Sequence, residues 1–184
     1  MHKVAVIVGS LRRESLNLKF AKALARLAEG RLAFAIVDLA GVPIYNDDLW
    51  ADPPAAVLRL KRDIEAADAV LFVTPEYNRS IPAVVKNVID WASRPPGKSA
   101  WTGKPAAIVG TSPGALGTAV AQAQLRSIAV ACGMSLLSRP EVYLTSKPGL
   151  ISETFEVTDE KSRAFLAGFV EMFAAHVARM TAPA

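Results

Sequence analysis

Residues 9–17 bring together groups that bind phosphate. They read GSLRRESLN and stand between an apolar stretch and a helical pattern. The first N–H groups of a helix are unpaired and carry partial positive charge, and a guanidinium such as that of Arg12 adds a bidentate contact. Since hydroxyls and a side-chain amide stand in the same segment, we expect a phosphate cradle in this first loop.

The first loop differs from the two best-known phosphate-binding loops. It lacks the Gly-Lys-Ser/Thr ending of a Walker A loop, and its single glycine, Gly9, cannot form a GxGxxG motif. The alternative is that Ser15 only caps the helix while Arg12 and Arg13 are solvated. The position directly after the first apolar stretch favours the cradle.

Two more polar segments follow apolar stretches further along the chain. The second loop, residues 74–82, reads TPEYNRSIP, and its two prolines predict a rigid wall against a planar ligand. The third loop, residues 110–117, reads GTSPGALG, and its glycines allow the backbone to approach a ligand closely. Each segment also fits a plain turn, with Glu76 and Arg79 as a surface ion pair in the second loop.

The elements that position these loops alternate between strand and helix. Continuous apolar runs indicate strands that are buried on both faces, and therefore a parallel sheet. Strands are predicted at residues 3–8, 32–37, 68–73, 105–109 and 134–138. Helices are predicted from Leu16 to a stop at Gly30, over 55–66, from Pro82 to Ala92, from Thr118 to Cys132, and from Asp159 to Met180 with Thr158 as N-cap.

Five successive β-α units predict an α/β fold with three layers, a doubly wound arrangement in one domain over residues 1–184. The expected sheet has five parallel strands in the order 2-1-3-4-5. Ligands of such sheets bind between strands 1 and 3, where the three loops converge. The first loop suits a phosphate and the other two suit a flat heterocycle with N–H and C=O edges. Together they describe a site for flavin mononucleotide (FMN).

The motif SLRxxSxN at residues 10–17, followed by PEYN at 75–78, resembles the NADPH-dependent FMN reductase family, which has a flavodoxin-like fold. The resemblance covers essentially the whole chain. It is greatest to the branch that contains bacterial quinone, chromate and azo-dye reductases. The stretch 74–95, with KNxxDW at 86–91, is typical of that branch, and so is PxYNxD at 43–48.

The resemblance implies which residues hold FMN. Around the phosphate it places Ser10, Arg12, Ser15, Leu16 and Asn17. Around the ribityl chain and the ring it places Pro75, Glu76, Tyr77, Asn78 and Arg79, with Ser112 and Gly114 near the pyrimidine edge. Since the flavin carries the chemistry, no catalytic side chain and no metal are expected.

The implied function is that of an oxidoreductase with NAD(P)H as co-substrate. A hydride passes from the nicotinamide to the flavin, which then reduces a quinone or a similar acceptor in a ping-pong mechanism. Azo compounds, chromate, ferric complexes and free flavin stay open as acceptors, as does the choice between NADH and NADPH. The alternatives are a non-enzymatic electron carrier, usually an acidic protein, and a flavin-binding regulatory protein. The resemblance also implies a homodimer or homotetramer.

Composition excludes several other classes of protein. Hydrophobic residues make up 52% of the chain and charged residues 21%, which supports a folded core rather than disorder. The net charge is +4 without a long basic run, so we expect no nucleic-acid partner. A single cysteine excludes an intrachain disulfide and favours a reducing compartment. Without a signal sequence or an apolar run of about 18 residues, we expect a cytoplasmic protein with no membrane partner.

Overall fold

A computed structural model describes residues 1–182 as a parallel sheet between two layers of helices. The strands are β1 (His2–Val8), β2 (Leu32–Ile36), β3 (Ala69–Val73), β4 (Pro105–Ser112), β5 (Ser135–Leu136) and β6 (Val142–Thr145). The helices are α1 (Leu16–Leu27), α2 (Ala55–Glu65), α3 (Ala83–Ala92), α4 (Ala119–Ala131) and α5 (Glu160–Thr181), with a short 3-10 helix at Asp47–Ala51. Within residues 1–182, no helix has the length and apolar character that a membrane crossing needs.

The sheet order β2-β1-β3-β4-β5, with every pair parallel, confirms the predicted order 2-1-3-4-5. Alternate residues of the central strands enter two separate cores. One core packs under α1 and α5, around Phe20 and Phe169, and the other packs under α2, α3 and α4, around Leu60 and Trp91. Because both faces of the strands are covered, their sequences are continuous apolar runs.

The fifth strand is split, so the prediction of one strand over 134–138 is wrong in its extent. β5 pairs Ser135 with Pro105, whereas β6 pairs Val142 with Val109 on the same neighbouring strand. The edge strand therefore carries three extra residues between the two pairings. Pro140 lies in this interruption and has no N–H for a ladder hydrogen bond.

The helices begin at the predicted residue or one residue later. Ser15 caps α1, since its Oγ accepts a hydrogen bond from the N–H of Leu18 at 3.2 Å. The predicted N-cap of the last helix, Thr158, is wrong, because Asp159 takes this position and accepts from the N–H of Ser162 at 2.8 Å. That hydrogen bond lowers the pKa of the Asp159 carboxyl.

Near the end of β4, Gly110 allows two neighbouring segments to approach. A β-carbon at this position would overlap the backbone oxygen of Thr74 and the hydroxyl of Thr118. Thr118 is fully buried at a φ of +80°, and its Oγ1 accepts a hydrogen bond from Gln122 Nε2 at 2.9 Å. Backbone and a buried, hydrogen-bonded hydroxyl have little room to yield, so this position requires glycine.

We therefore expect Gly110→Ala to lower the free energy of unfolding by about 1–3 kcal/mol, the usual cost of overpacking. The matched control is Gly168→Ala in α5, where an added β-carbon meets no atom within 4 Å. Because alanine is the better helix former, the control should gain roughly 0.5–1 kcal/mol. Urea unfolding of both variants measures the difference, and equal stability of the two would contradict the close approach at Gly110.

Candidate functional site

Backbone hydrogen bonds to the neighbouring strand fix where the first two loops begin, at the carboxyl end of the sheet. The first loop begins where the N–H of Gly9 donates to the carbonyl of Val73 at 2.9 Å. The second loop begins where the N–H of Thr74 donates to the carbonyl of Val109 at 2.9 Å. The three loops therefore lie side by side, as expected for neighbouring strands 1, 3 and 4.

The first loop offers free donors at the start of α1. Ser10 is half-buried, and Arg12 is exposed and forms no ion pair within the part of the chain that the structure describes. The first turn of α1 contains no acidic residue. The N–H groups of Leu16 and Asn17 precede the first N–H that the Ser15 side chain satisfies, so they have no acceptor within the helix and point out of its N-terminal end.

Asn17 has a different environment from the rest of the first loop. Its side-chain Nδ2 donates to the carbonyl of Thr111 at 2.9 Å, and its Oδ1 accepts from the N–H of Thr111 at 3.1 Å. The residue is only 2% exposed. The amide group predicted to face a phosphate is thus bonded to β4, which leaves the backbone N–H of Asn17 as the group that this residue can offer at the helix end.

A tight turn forms the outer part of the second loop. Tyr77 and Ser80 exchange two backbone hydrogen bonds, of 3.0 and 2.9 Å. Between them, Asn78 and Arg79 both have positive φ, of 51° and 63°, as in a type I′ turn. Arginine seldom adopts this conformation, so the turn is strained at Arg79. The turn leaves Tyr77 48% exposed.

Glu76 connects the second loop to the helix that follows the third loop. Its Oε2 accepts hydrogen bonds from the N–H groups of Val120 and Ala121, at 3.0 and 3.1 Å. Thr118, the N-cap residue of α4, makes no side-chain cap of its own. The Glu76 carboxylate therefore caps this helix from another loop. Its Oε1 also meets Arg79 Nη1 at 3.3 Å, so the predicted Glu–Arg pair is present.

The second and third loops border an open cavity of about 470 Å³. Five of the seven residues predicted for the ribityl chain and the ring line it, namely Glu76, Asn78, Arg79, Ser112 and Gly114. Pro75 and Tyr77 do not line it, and Pro75 is buried and packs next to Gly9 of the first loop. Ser10, Arg12 and Ser15 do not line this cavity and belong to the α1 end of the site.

Side chains of α3 form hydrogen bonds with the backbone of the loop after β2. The carbonyl of Pro43 accepts from Asn87 Nδ2 and from Trp91 Nε1, each at 2.8 Å. The N–H of Tyr45 donates to Asn87 Oδ1 at 2.8 Å. The Tyr45 hydroxyl donates to Asp47 at 2.7 Å, and this hydrogen bond raises the pKa of Tyr45. Two motifs that the sequence singled out separately, at 43–48 and 86–91, are therefore one hydrogen-bonded unit.

The donor set fits FMN in chemistry and in arrangement. Unpaired N–H groups and an exposed guanidinium at the start of α1 suit a phosphate. The polar, glycine-containing cavity between the second and third loops suits a flat ring with polar edges. Sequence reasoning missed two residues that hold the second loop and α4 in place. Gln124 forms hydrogen bonds with the turn of the second loop. Thr118 has a left-handed φ, a conformation that the sequence would have indicated only if the residue were glycine.

Comparison with known proteins gives relatives of nearly the same length. A 2-hydroxy-1,4-benzoquinone reductase of Burkholderia sp. is 46% identical over 175 residues, covering 95% of this chain and 96% of the relative. A quinone reductase of Pseudomonas putida is 47% identical over 178 residues, covering 96% and 95%. The structure of FerB, a flavoenzyme NAD(P)H:(acceptor) oxidoreductase from Paracoccus denitrificans, has 51% identity and a TM-score of 0.95, covering 97% and 98%.

The family comparison agrees with these relatives and with the resemblance noted from the motifs. Residues 2–149, which contain all three loops, match the NADPH-dependent FMN reductase family. The match thus includes each residue that the motifs assign to the cofactor. With the sheet order, the converging loops and the similarity over the full length of its relatives, this chain belongs to the family of NADPH-dependent FMN reductases.

Proposed function

We propose that this enzyme passes a hydride from NAD(P)H through bound FMN to a quinone or a similar acceptor, with the whole chain acting as one FMN-binding domain. The observation that carries the proposal is the cavity between the second and third loops, beside which the Asn17–Thr111 hydrogen bonds hold the start of α1. The names of the relatives from Burkholderia and Pseudomonas putida support quinones as acceptors. FMN, when bound, supplies the electron-transfer chemistry, and the protein supplies its binding and orientation.

We place the FMN phosphate at the start of α1 rather than at the start of α4, because the two helix starts differ in the acidic side chains near them. Both helices begin at this edge of the sheet. The start of α4 already holds the Glu76 carboxylate, which meets its N–H groups and its positive end. The first turn of α1 holds no acidic side chain, so an anion is favoured there. In this assignment Ser10, Arg12 and the N–H groups of Leu16 and Asn17 bind the phosphate.

The ring end is assigned to the second and third loops. Asn78 and Arg79 form one wall of the cavity, and Ser112 and Gly114 form the other. Glu76 connects the second loop to α4, and buried Pro75 packs next to Gly9 of the first loop. Tyr77 is 48% exposed and stands in the chain between the cavity-lining residues Glu76 and Asn78, so we place its ring at the rim, where a nicotinamide or a quinone ring has to enter. An open cavity that is shared by both substrates requires them to bind in turn.

This arrangement predicts ping-pong kinetics. Initial rates are measured over a range of NADPH concentrations, at each of several fixed concentrations of 1,4-benzoquinone as acceptor. The double-reciprocal plots for the different benzoquinone concentrations should be parallel lines. The reason is that the first product leaves the cavity before the acceptor enters it. Protein freed of FMN is the control and should be inactive until FMN is restored. Lines that intersect would show that both substrates bind together and would overturn the single shared cavity.

The phosphate assignment predicts the effect of removing one guanidinium. We expect Arg12→Ala to weaken FMN binding by roughly 1.5–3 kcal/mol, the usual contribution of a charged hydrogen bond. Arg13→Ala, at the adjacent exposed arginine, is the matched control for general charge and should change binding much less. Fluorescence titration of the apoprotein with FMN measures both. Equal losses in the two variants would mean that only long-range charge is involved, and the phosphate contact would be rejected.

The proposal includes a homodimer or homotetramer. A groove of about 730 Å³ between the edge strand and α5 is lined by apolar side chains, among them Tyr143, Phe165 and Met172, the last two about half exposed. Burial of these side chains in a second copy would remove them from water. Light scattering of the FMN-loaded protein should give two or four times the mass of one chain. The mass of a single chain would contradict this part of the proposal.

A further inference from the structure

One side chain of α4 is bonded at both ends to the strained turn of the second loop. Gln124 Nε2 donates to the carbonyl of Arg79 at 2.8 Å, and Gln124 Oε1 accepts from the hydroxyl of Ser80 at 2.7 Å. The residue is exposed, so neither bond is enforced by burial. Both polar ends of one amide are thus used on two consecutive residues of the turn.

The turn needs such a support because its own geometry is unfavourable. A non-glycine residue at positive φ, such as Arg79, costs free energy and persists only where the surroundings impose that conformation. The two backbone bonds between Tyr77 and Ser80 close the turn, but they do not fix its orientation relative to α4. The external contacts that do so are the Glu76 carboxylate at the start of α4 and the Gln124 amide one turn further along that helix.

We propose that Gln124 is a positioning residue, which clamps the Tyr77–Ser80 turn onto α4 and so sets the wall of the cavity where nicotinamide and acceptor bind. Gln124 does not line the cavity and acts only through the turn. Glu76 does line it, so its replacement would alter the site directly and cannot isolate the clamp. The consequence for catalysis rests on the function proposed above, whereas the clamp itself does not.

The first test uses the protein without and with FMN and compares Gln124→Ala with Ser127→Ala, an exposed position on the same helix. Hydrogen exchange of the apoprotein should show the amides of Tyr77 and Ser80 exchanging about tenfold faster in Gln124→Ala, because two hydrogen bonds are lost. Ser127→Ala should leave both amides unchanged. With FMN restored, Gln124→Ala should raise KM for NADPH several-fold with a smaller change in kcat.

The second test removes the backbone strain at Arg79, which the clamp is proposed to hold in place. Arg79→Gly and Arg79→Ala both remove the guanidinium, but only glycine adopts positive φ without cost. Gln124→Ala should therefore speed amide exchange of the turn less in the Arg79→Gly background than in the Arg79→Ala background. This difference is a readout that general destabilisation of α4 would not produce.

Three results would decide the matter separately. Unchanged exchange of Tyr77 and Ser80 in Gln124→Ala would overturn the clamp. Equal effects of Gln124→Ala in the two Arg79 backgrounds would overturn its role in holding a strained conformation. Faster exchange with no change in KM would overturn its role in positioning the cavity wall. Failure of the wild-type protein to bind FMN would instead refute the proposed function, while the exchange experiment on the apoprotein would still test the clamp.

Discussion

The pairing of the Asn17 amide with the backbone of Thr111 is the interaction on which the rest of the site depends. The amide makes the donor and acceptor contacts that a neighbouring strand would make, and it does so where β4 ends and α1 begins. Burying an amide is costly unless both of its polar groups are bonded, so this pairing tolerates little displacement. It therefore fixes the start of α1, and with it the N–H groups that we propose bind the phosphate, relative to the third loop and the cavity that we propose for the ring.

Several residues near this pairing have strained backbone conformations. Of the four non-glycine residues with positive φ within residues 1–182, Asn78, Arg79 and Thr118 all lie in or beside the second and third loops. Strain of this kind accumulates at functional sites because a rigid scaffold pays for it elsewhere. Here the scaffold consists of two cores that bury the central strands completely, together with side chains that link one loop to the next helix. The cavity is consequently held by contacts from the second loop to α4 as well as by the hydrogen bonds within that loop.

The sequence was sufficient to predict what depends on short-range patterns. Continuous apolar runs predicted a sheet that is covered on both faces, and the composition of residues 9–17, 74–82 and 110–117 predicted three loops that meet at one edge. It was insufficient where a long-range partner decides the outcome. Three features depend on residues that are far apart in the chain. They are the hydrogen bonds of Asn17 with Thr111, the capping of α4 by Glu76, and the second pairing of the split edge strand with β4, beyond Pro140. The sequence singled out Asn17 and Glu76 as site residues, but it did not reveal their bonding partners.

We propose that these three loops form one flavin site open to a nicotinamide. To test this, the purified protein is loaded with FMN, oxygen is removed, NADPH is added and the visible absorption of the flavin is followed. We expect the flavin bands to bleach within seconds and to return when benzoquinone is added. A protein that binds FMN but keeps its bands in the presence of NADPH would contradict the oxidoreductase mechanism. A protein that binds no FMN would contradict the site itself.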